Sequence, residues 1–314
     1  MTRVLIPLAL LLLTSCSHIS IPPQFVRADA KLLRQHVDSL VYDEEIRNFA
    51  NIYELDRVAS YIKKEMELIG LNCEYQEYTL NVINPDIYRN VICKLNANQE
   101  KTFILGAHYD VCEYQEGADD NASGVSGLIE TARLLYKNRL TLTHNIEFVA
   151  YTLEEPPYFR TQNMGSFRHA QSIKDSIENY AGMISIEMIG YYSTRDIQEY
   201  PFGIGWLYPS HGNFIAAVGN FSSDWISEDY QDAMESIDEL ETQKLSAPSF
   251  ITGIDFSDHL NYWTIGMDAI MITDTAFMRN KNYHETSDQI STLDFKKMSF
   301  VINGITLLFL DNTK

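Results

Sequence analysis

The stretch Thr102-Phe103-Ile104-Leu105-Gly106-Ala107-His108-Tyr109-Asp110 opens as a short apolar run and closes on a histidine and an acid. Such a run reads as a buried strand. A turn-rich segment follows, Gly117-Ala118-Asp119-Asp120-Asn121-Ala122-Ser123-Gly124. Helical spacing then runs over 124–136, with Val125, Leu128, Ile129, Ala132 and Leu135 on one side. The pattern recurs twice. Residues 145–153 are largely apolar and lead to Glu154-Glu155, and residues 182–186 lead to Glu187. Three expected strands therefore each stop at a side chain able to hold a metal ion. In open α/β sheets, ligands sit in the crevice at the carboxyl ends of the strands. These residues are accordingly read as one site.

Working outward, the spacing predicts helices over 30–41 and 52–68. In the second, Leu55, Val58, Ala59, Ile62 and Met66 form a stripe and Gly70 is the stop. Residues 73–82 and 88–95 read as strands joined at Asn84-Pro85-Asp86. Pro156-Pro157 forces an irregular loop. A helix is expected over 164–173 and a strand over 268–273. The stretch 193–249 mixes Pro, Gly, aromatics and acids, and is expected to form loops and helices rimming the cleft. A closing helix over 294–310 packs through Phe295, Met298, Ile302, Ile305 and Phe309, while Lys296, Lys297 and Asn303 break the run that a membrane span would need. Strands alternating with helices imply an α/β fold. The expectation is a single globular domain over 29–314, with a mostly parallel central sheet covered by helices on both faces.

The chain has 314 residues and a formal net charge of -19. No basic stripe is present to neutralise phosphates, so nucleic acid is excluded as a partner. At the start, Arg3 precedes an apolar run over 4–13 that is too short to span a bilayer. Leu13-Thr14-Ser15-Cys16 resembles a bacterial lipoprotein cleavage box. The expectation is a signal peptide over 1–16, lipidation at Cys16, and a tether over 17–28 containing Pro22-Pro23. Acyl chains on Cys16 would hold the protein at a membrane surface of the bacterial cell envelope. Cys73, Cys93 and Cys112 remain. Their spacing makes no zinc knuckle. Cys73 and Cys93 lie in neighbouring strand-like runs, and pairing between them stays open. Cys112 reads as a small buried filler.

Imidazole and carboxylate donors suit zinc. His108, Asp120, Glu154, Glu155, Glu187 and His284 offer more of them than one catalytic ion requires. They fit two ions sharing a bridging carboxylate, an arrangement found in aminopeptidases among other enzymes. Asp120, Glu155 and Glu187 supply three negative charges against four positive, and a hydroxide would close the balance. Of Glu154-Glu155, one carboxylate can ligate while the other moves a proton. Asp110, two residues past His108, is placed to accept the other ring N–H and fix the tautomer. His284-Glu285-Thr286-Ser287-Asp288 lacks the second histidine of the helical zinc-protease signature. There is no Gly-x-Ser-x-Gly elbow and no phosphate-binding Gly-Lys-Ser/Thr loop.

These pieces, in order, resemble the M28 family of zinc metallopeptidases, bacterial aminopeptidase type. They are His108-Tyr109-Asp110, 117–124, Glu154-Glu155, Glu187-Met188-Ile189-Gly190, and Tyr283-His284 with Asp288; Ser257-Asp258-His259 is a weaker match. The resemblance covers residues 52 onward and implies a zinc-dependent exopeptidase fold. It also implies roles. His108 and Glu187 would bind one Zn2+, Glu155 and His284 a second, and Asp120 would bridge. Glu154 would be the general base, Asp110 would orient His108, and Tyr283 would help stabilise the oxyanion. His259 would be structural or would support a metal ligand from behind. Peptides would be the substrates, shortened from their N-termini. Two departures stand out: Glu187 where many members carry Asp, and Pro156-Pro157-Tyr158-Phe159-Arg160 in place of a Gly-rich continuation. The alternatives are a single-zinc acyltransferase similar to glutaminyl cyclase, and a non-catalytic binding module of the same fold.

Overall fold

The computed structural model describes residues 21, 25–41, 45–80, 86–201 and 203–311. The expected signal peptide 1–16, Cys16, most of the tether, and Asn84-Pro85 of the expected turn lie outside the described residues. The strands are β1 (Asn72–Thr79), β2 (Ile87–Leu95), β3 (Thr102–His108), β4 (Asn145–Tyr151), β5 (Tyr180–Glu187), β6 (Ser193–Asp196), β7 (His211–Gly212), β8 (Phe214–Gly219), β9 (Glu241–Ser246) and β10 (Ala269–Thr273). The α-helices are α1 (Ala30–Leu40), α2 (Ile52–Ile69), α3 (Gly124–Lys137), α4 (Gly165–Ile173), α5 (Asp224–Ile237), α6 (His259–Trp263) and α7 (Phe295–Leu308).

Eight strands form one sheet in the order β1-β2-β4-β3-β5-β10-β8-β9, and β6 pairs with β7 apart from it. The centre, β4-β3-β5-β10, is parallel, as is the pair β8-β9. Antiparallel pairings join β1 to β2, β2 to β4, and β10 to β8. The expected mostly parallel sheet is present, with antiparallel additions on both sides of its centre.

Residues alternate between the faces of this sheet, as a pleated strand requires. Phe103, Leu105 and Ala107 of β3, Ile184 and Ile186 of β5, and Ile270 and Ile272 of β10 enter the larger core, which includes residues of α1, α2, α3, α5 and α7. Ile104, Met183 and Ala269 face the other way, into a smaller cluster with Ala170 and Ile173 of α4 and Tyr262 of α6. Helices thus cover both faces. α2 starts where Asn51 Oδ1 accepts the N–H of Glu54 at 3.3 Å, and ends at Gly70, φ 111°. Among the described residues no helix is long and apolar enough to cross a membrane. A disulfide joins Cys73 and Cys93, which are register partners across β1 and β2.

One expectation is corrected. The stretch 193–249 is not only loops and helices, because it supplies β8 and β9, two strands of the main sheet, beside α5. β8, Phe-Ile-Ala-Ala-Val-Gly, contains two Ala and one Gly, which are weak strand formers. β9, Glu-Thr-Gln-Lys-Leu-Ser, is the polar edge of the sheet and lacks apolar alternation.

Candidate active site

His108 is the last residue of β3 and Glu187 the last of β5. Glu154 and Glu155 follow β4 by three and four residues. Asp120 comes from the loop before α3, and His284 from the loop beyond β10. The turns that aim these groups use left-handed backbone at Leu153 (φ 59°), Met188 (φ 47°) and His284 (φ 58°). Each such residue costs about 1–3 kcal/mol and persists only where its surroundings hold it. At Met188 they do: its N–H donates to Asn121 Oδ1 at 3.0 Å and its carbonyl accepts from Asp274 N at 2.7 Å.

The Asp120 loop is fastened from several sides. Asp288 accepts the N–H of Asp119 at 2.9 Å and of Asp120 at 3.0 Å. Asp119 accepts Gly190 N at 2.9 Å and Asn280 Nδ2 at 2.8 Å. Arg47, buried, donates to the carbonyls of Tyr109, Glu116 and Gly117. A Cβ at Gly124 would sit 2.2 Å from Asn121 Oδ1 and 2.3 Å from Ile186 O, so only glycine lets α3 begin against β5. Glu187 accepts Ser257 Oγ at 2.8 Å.

Asp110 departs from its expected role in detail. The nearer acceptor for His108 Nδ1 is the Asp110 carbonyl, at 3.1 Å, while the carboxylate stands 3.6 Å away. That carboxylate accepts the main-chain N–H groups of Glu154 and Glu155. The side chain therefore ties the end of β3 to the acid pair.

The six expected groups converge. His108 Nε2 lies 3.4 Å from Asp120 Oδ1, 3.3 Å from Glu187 Oε2 and 4.0 Å from Glu154 Oε2. His284 Nε2 lies 3.2 Å from Asp120 Oδ2 and 3.1 Å from Glu155 Oε2. Donors bound to one tetrahedral zinc at about 2.0–2.1 Å stand about 3.3 Å apart. The two sets match that spacing, with one Asp120 oxygen in each. Asp120 Oδ2, Glu155 Oε1 and His284 Nε2 are buried without a hydrogen-bond partner. Orphaned donors and acceptors of this kind are expensive unless something else satisfies them, and a cation does so. The donor set therefore fits divalent metal.

The electrostatics agree. Burial opposes a charge on His108, but Glu187, Glu154, Asp110 and Asp120 prevail and hold its pKa well above the ordinary value. Burial, then Asp120, pushes Glu155 up to about 8 despite His284. Burial also lifts Glu154 well above the carboxylate range, with Glu155 and Glu187 adding to it against His108. Although burial raises it, Asp120 is held low by His108 and His284. Without a cation, the site retains protons that a cation would displace.

Tyr283 stacks on His284 with ring centres 3.8 Å apart and lines a cavity beside the acids. Phe159, Tyr200, Phe214, Phe256 and Phe277 also line it. Pro156 and Phe159, from the departing Pro-Pro segment, form part of its wall. His259 Nε2 lies 2.8 Å from Ile254 O, and its ring stands edge-on to Trp263. Arg47 and Ser257 had no sequence signal that assigned them a role. Ser257 stood in a matched motif, but Arg47 lies outside every motif.

Residues 90–306 match the family described as Peptidase family M28. An uncharacterised protein, YfbL of Escherichia coli (strain K12), is 41% identical over 293 residues, covering 90% of this chain and 88% of that one. The zinc aminopeptidase BSAP from Bacillus subtilis superposes with a TM-score of 0.69 at 12% identity, covering 89% of this chain and 94% of that one. A Bacteroides thetaiotaomicron glutaminyl cyclase superposes with a TM-score of 0.67 at 18% identity, covering 92% of this chain and 100% of that one. The likeness to these two solved structures is one of fold. On the match over 90–306 and the extent of its closeness to YfbL, the chain belongs to peptidase family M28.

Proposed function

We propose that the protein is an aminopeptidase with a two-zinc centre, releasing free N-terminal residues from peptides. The observation that carries this reading is the split of Asp120 between two histidines, Oδ1 toward His108 and Oδ2 toward His284, each with its own acid, Glu187 or Glu155. A single-zinc cyclase has no need of this doubling. His108 and Glu187 would hold one ion, Glu155 and His284 the other, and Asp120 both. When bound, such ions supply Lewis acidity toward the scissile carbonyl and toward water.

The chain's own groups do the rest. Glu154 stands beside both sets, its Oε2 4.0 Å from His108 Nε2. It takes a proton from the attacking water and delivers it to the leaving amine. Asp110 fixes the acid pair through two main-chain N–H groups. Tyr283, held by its stack on His284, donates to the developing oxyanion. The aromatic cavity receives the side chain of the released residue, which favours large apolar residues.

The Cys73–Cys93 disulfide supports an oxidising compartment. With Cys16 lipidated, the enzyme would sit on a membrane surface of the cell envelope.

The test is mass spectrometry of a mixed peptide pool incubated with the zinc-loaded full chain, half of the pool N-acetylated, with a chelated control. Stepwise shortening of free N-termini alone, abolished by chelation, is expected. Pyroglutamate formation without shortening would assign the cyclase instead, and C-terminal trimming would overturn the aminopeptidase reading.

A further inference from the structure

Cys112 lies four residues beyond His108, in the loop leaving β3, and the mechanism above gives it no role. Its backbone is pinned next door, where Val111 N donates to Arg47 O at 3.2 Å. Among the described residues Cys73 and Cys93 are bonded to each other, while Cys112 is free and 6% exposed. Its sulfur, a carboxylate oxygen of Glu155 and a ring nitrogen of His284 all lie within 4.8 Å of one another. Two further atoms mark this place as made for a ligand. Glu155 Oε1 is buried there without a hydrogen-bond partner, and Asp120 Oδ2 makes no hydrogen bond although His284 Nε2 is 3.2 Å away, on side chains 4% and 2% exposed. The set around His108, Asp120 and Glu187 contains no sulfur. The two proposed cation positions therefore differ in kind: one offers nitrogen and oxygen, the other nitrogen, oxygen and sulfur.

We propose that Cys112 is a thiolate ligand of the cation held by Glu155 and His284. The inference rests on the two-cation reading above. Zinc–sulfur bonds are about 2.3 Å and zinc–oxygen or zinc–nitrogen bonds about 2.0–2.1 Å, so a shift of about 1 Å closes these donors on one ion. As the sulfur–metal bond forms, the thiol proton leaves to solvent. Asp120, Glu155, Glu187 and Cys112 then carry four negative charges against the four positive charges of two divalent ions. A third and fourth protein donor also fill this position, which leaves the open coordination place on the His108 side. A soft ligand favours Zn2+ or Cd2+ over Mn2+ here, and not at the other position.

The test strips the full chain with a chelator and titrates it with Co2+, following electronic absorption and, by plasma mass spectrometry, bound cobalt. The wild type is expected to bind two cobalt ions and to show a sulfur-to-cobalt charge-transfer band in the near ultraviolet. Cys112→Ser is expected to lose the band and to bind its second cobalt more weakly, by at least the about 10–100-fold that loss of a supporting residue causes. Two bound cobalt ions without the band in the wild type would overturn the thiolate ligand alone. One bound cobalt ion would overturn the two-cation reading beneath it. Because the wild-type spectrum decides the matter, the test stands even where Cys112→Ser folds poorly.

Discussion

Asp110 Oδ1 accepts the main-chain N–H of Glu154 at 3.1 Å. Its other oxygen accepts that of Glu155 at 3.2 Å, and the carboxylate lies 3.6 Å from His108 Nδ1. One side chain thus sets the proposed base, a proposed ligand of each cation, and the spacing between them. In Asp110→Asn, the amide nitrogen replaces one acceptor and meets an N–H head-on. Cation affinity should fall about 10–100-fold, as for other groups that support metal ligands. Zinc titration calorimetry of the variant checks this; unaltered affinity would show that the His108 contact to the Asp110 carbonyl suffices.

Ser257 should matter to one cation and not to the other. Its hydroxyl donates to Glu187 Oε2 at 2.8 Å and stands 2.8 Å from Ser185 Oγ. Ser257→Ala removes the group that orients Glu187. The expected outcome is an about tenfold or greater weakening of one zinc-binding step, with the second step unchanged. Equal weakening of both steps would show that the two positions do not bind separately.

Stability of the chelated protein should fall as pH rises from about 5 toward 8. Glu155 has a folded pKa of about 8 against an ordinary 4.5. Burial, then Asp119, likewise pushes Asp288 up to about 8 from 3.8. At these two groups the folded chain binds more protons than the unfolded one throughout this window, so each contributes a negative ∂ΔG/∂pH, opposed below about 6.5 by His36 and His259, which burial lowers to about 4. His108 adds to the same trend, because a raised folded pKa gives stability that is present below 6.5 and lost above it. Bound zinc takes the place of the protons on Glu155 and His108, so the rise in Tm on adding zinc should be larger at pH 8 than at pH 6. Calorimetric melting at the two pH values measures it, and an equal or smaller rise at pH 8 would contradict this proton balance.

The cavity sets the expected substrate order. Among the described residues, and apart from the proposed site residues, Lys244 is the one charged residue in its lining. An apolar pocket discriminates by about 10–200-fold per missing methylene. Leucyl and phenylalanyl substrates should therefore exceed alanyl substrates by about tenfold or more in kcat/KM, and aspartyl substrates by more. Phe256→Ala should narrow the gap. Preference for an acidic N-terminal residue would contradict the assignment of this cavity to the side chain.

The sequence made the proposed ligands legible because metal chemistry restricts residue type and because β3 and β5 end on their ligands. His108, Asp120, Glu154, Glu155, Glu187 and His284 all arrive at one place. What held them there was hidden. Arg47 acts on carbonyls 62 to 70 residues away, and a carbonyl has no sequence signature. Nearness in sequence pairs Asp110 with His108, but nothing in the sequence marks the bonds of its carboxylate across the sheet to the main chain of 154 and 155. β8 and β9 escaped for a different reason: two Ala and a Gly make β8 a weak strand former, and β9, at the polar edge, carries no apolar alternation. Cys112 has no sequence signal, because a lone thiol signals nothing until Glu155 and His284 are brought beside it.

The most direct test of the central claim is a paired measurement on Glu154→Gln: bound zinc per chain and turnover of a peptide with a free N-terminus. Two zinc ions per chain with turnover reduced about 10²–10⁴-fold would be the signature of a proton-transfer group outside the ligand set. Loss of one zinc would make Glu154 a ligand, and near-normal turnover would remove it from the reaction. Either of these results would contradict the account.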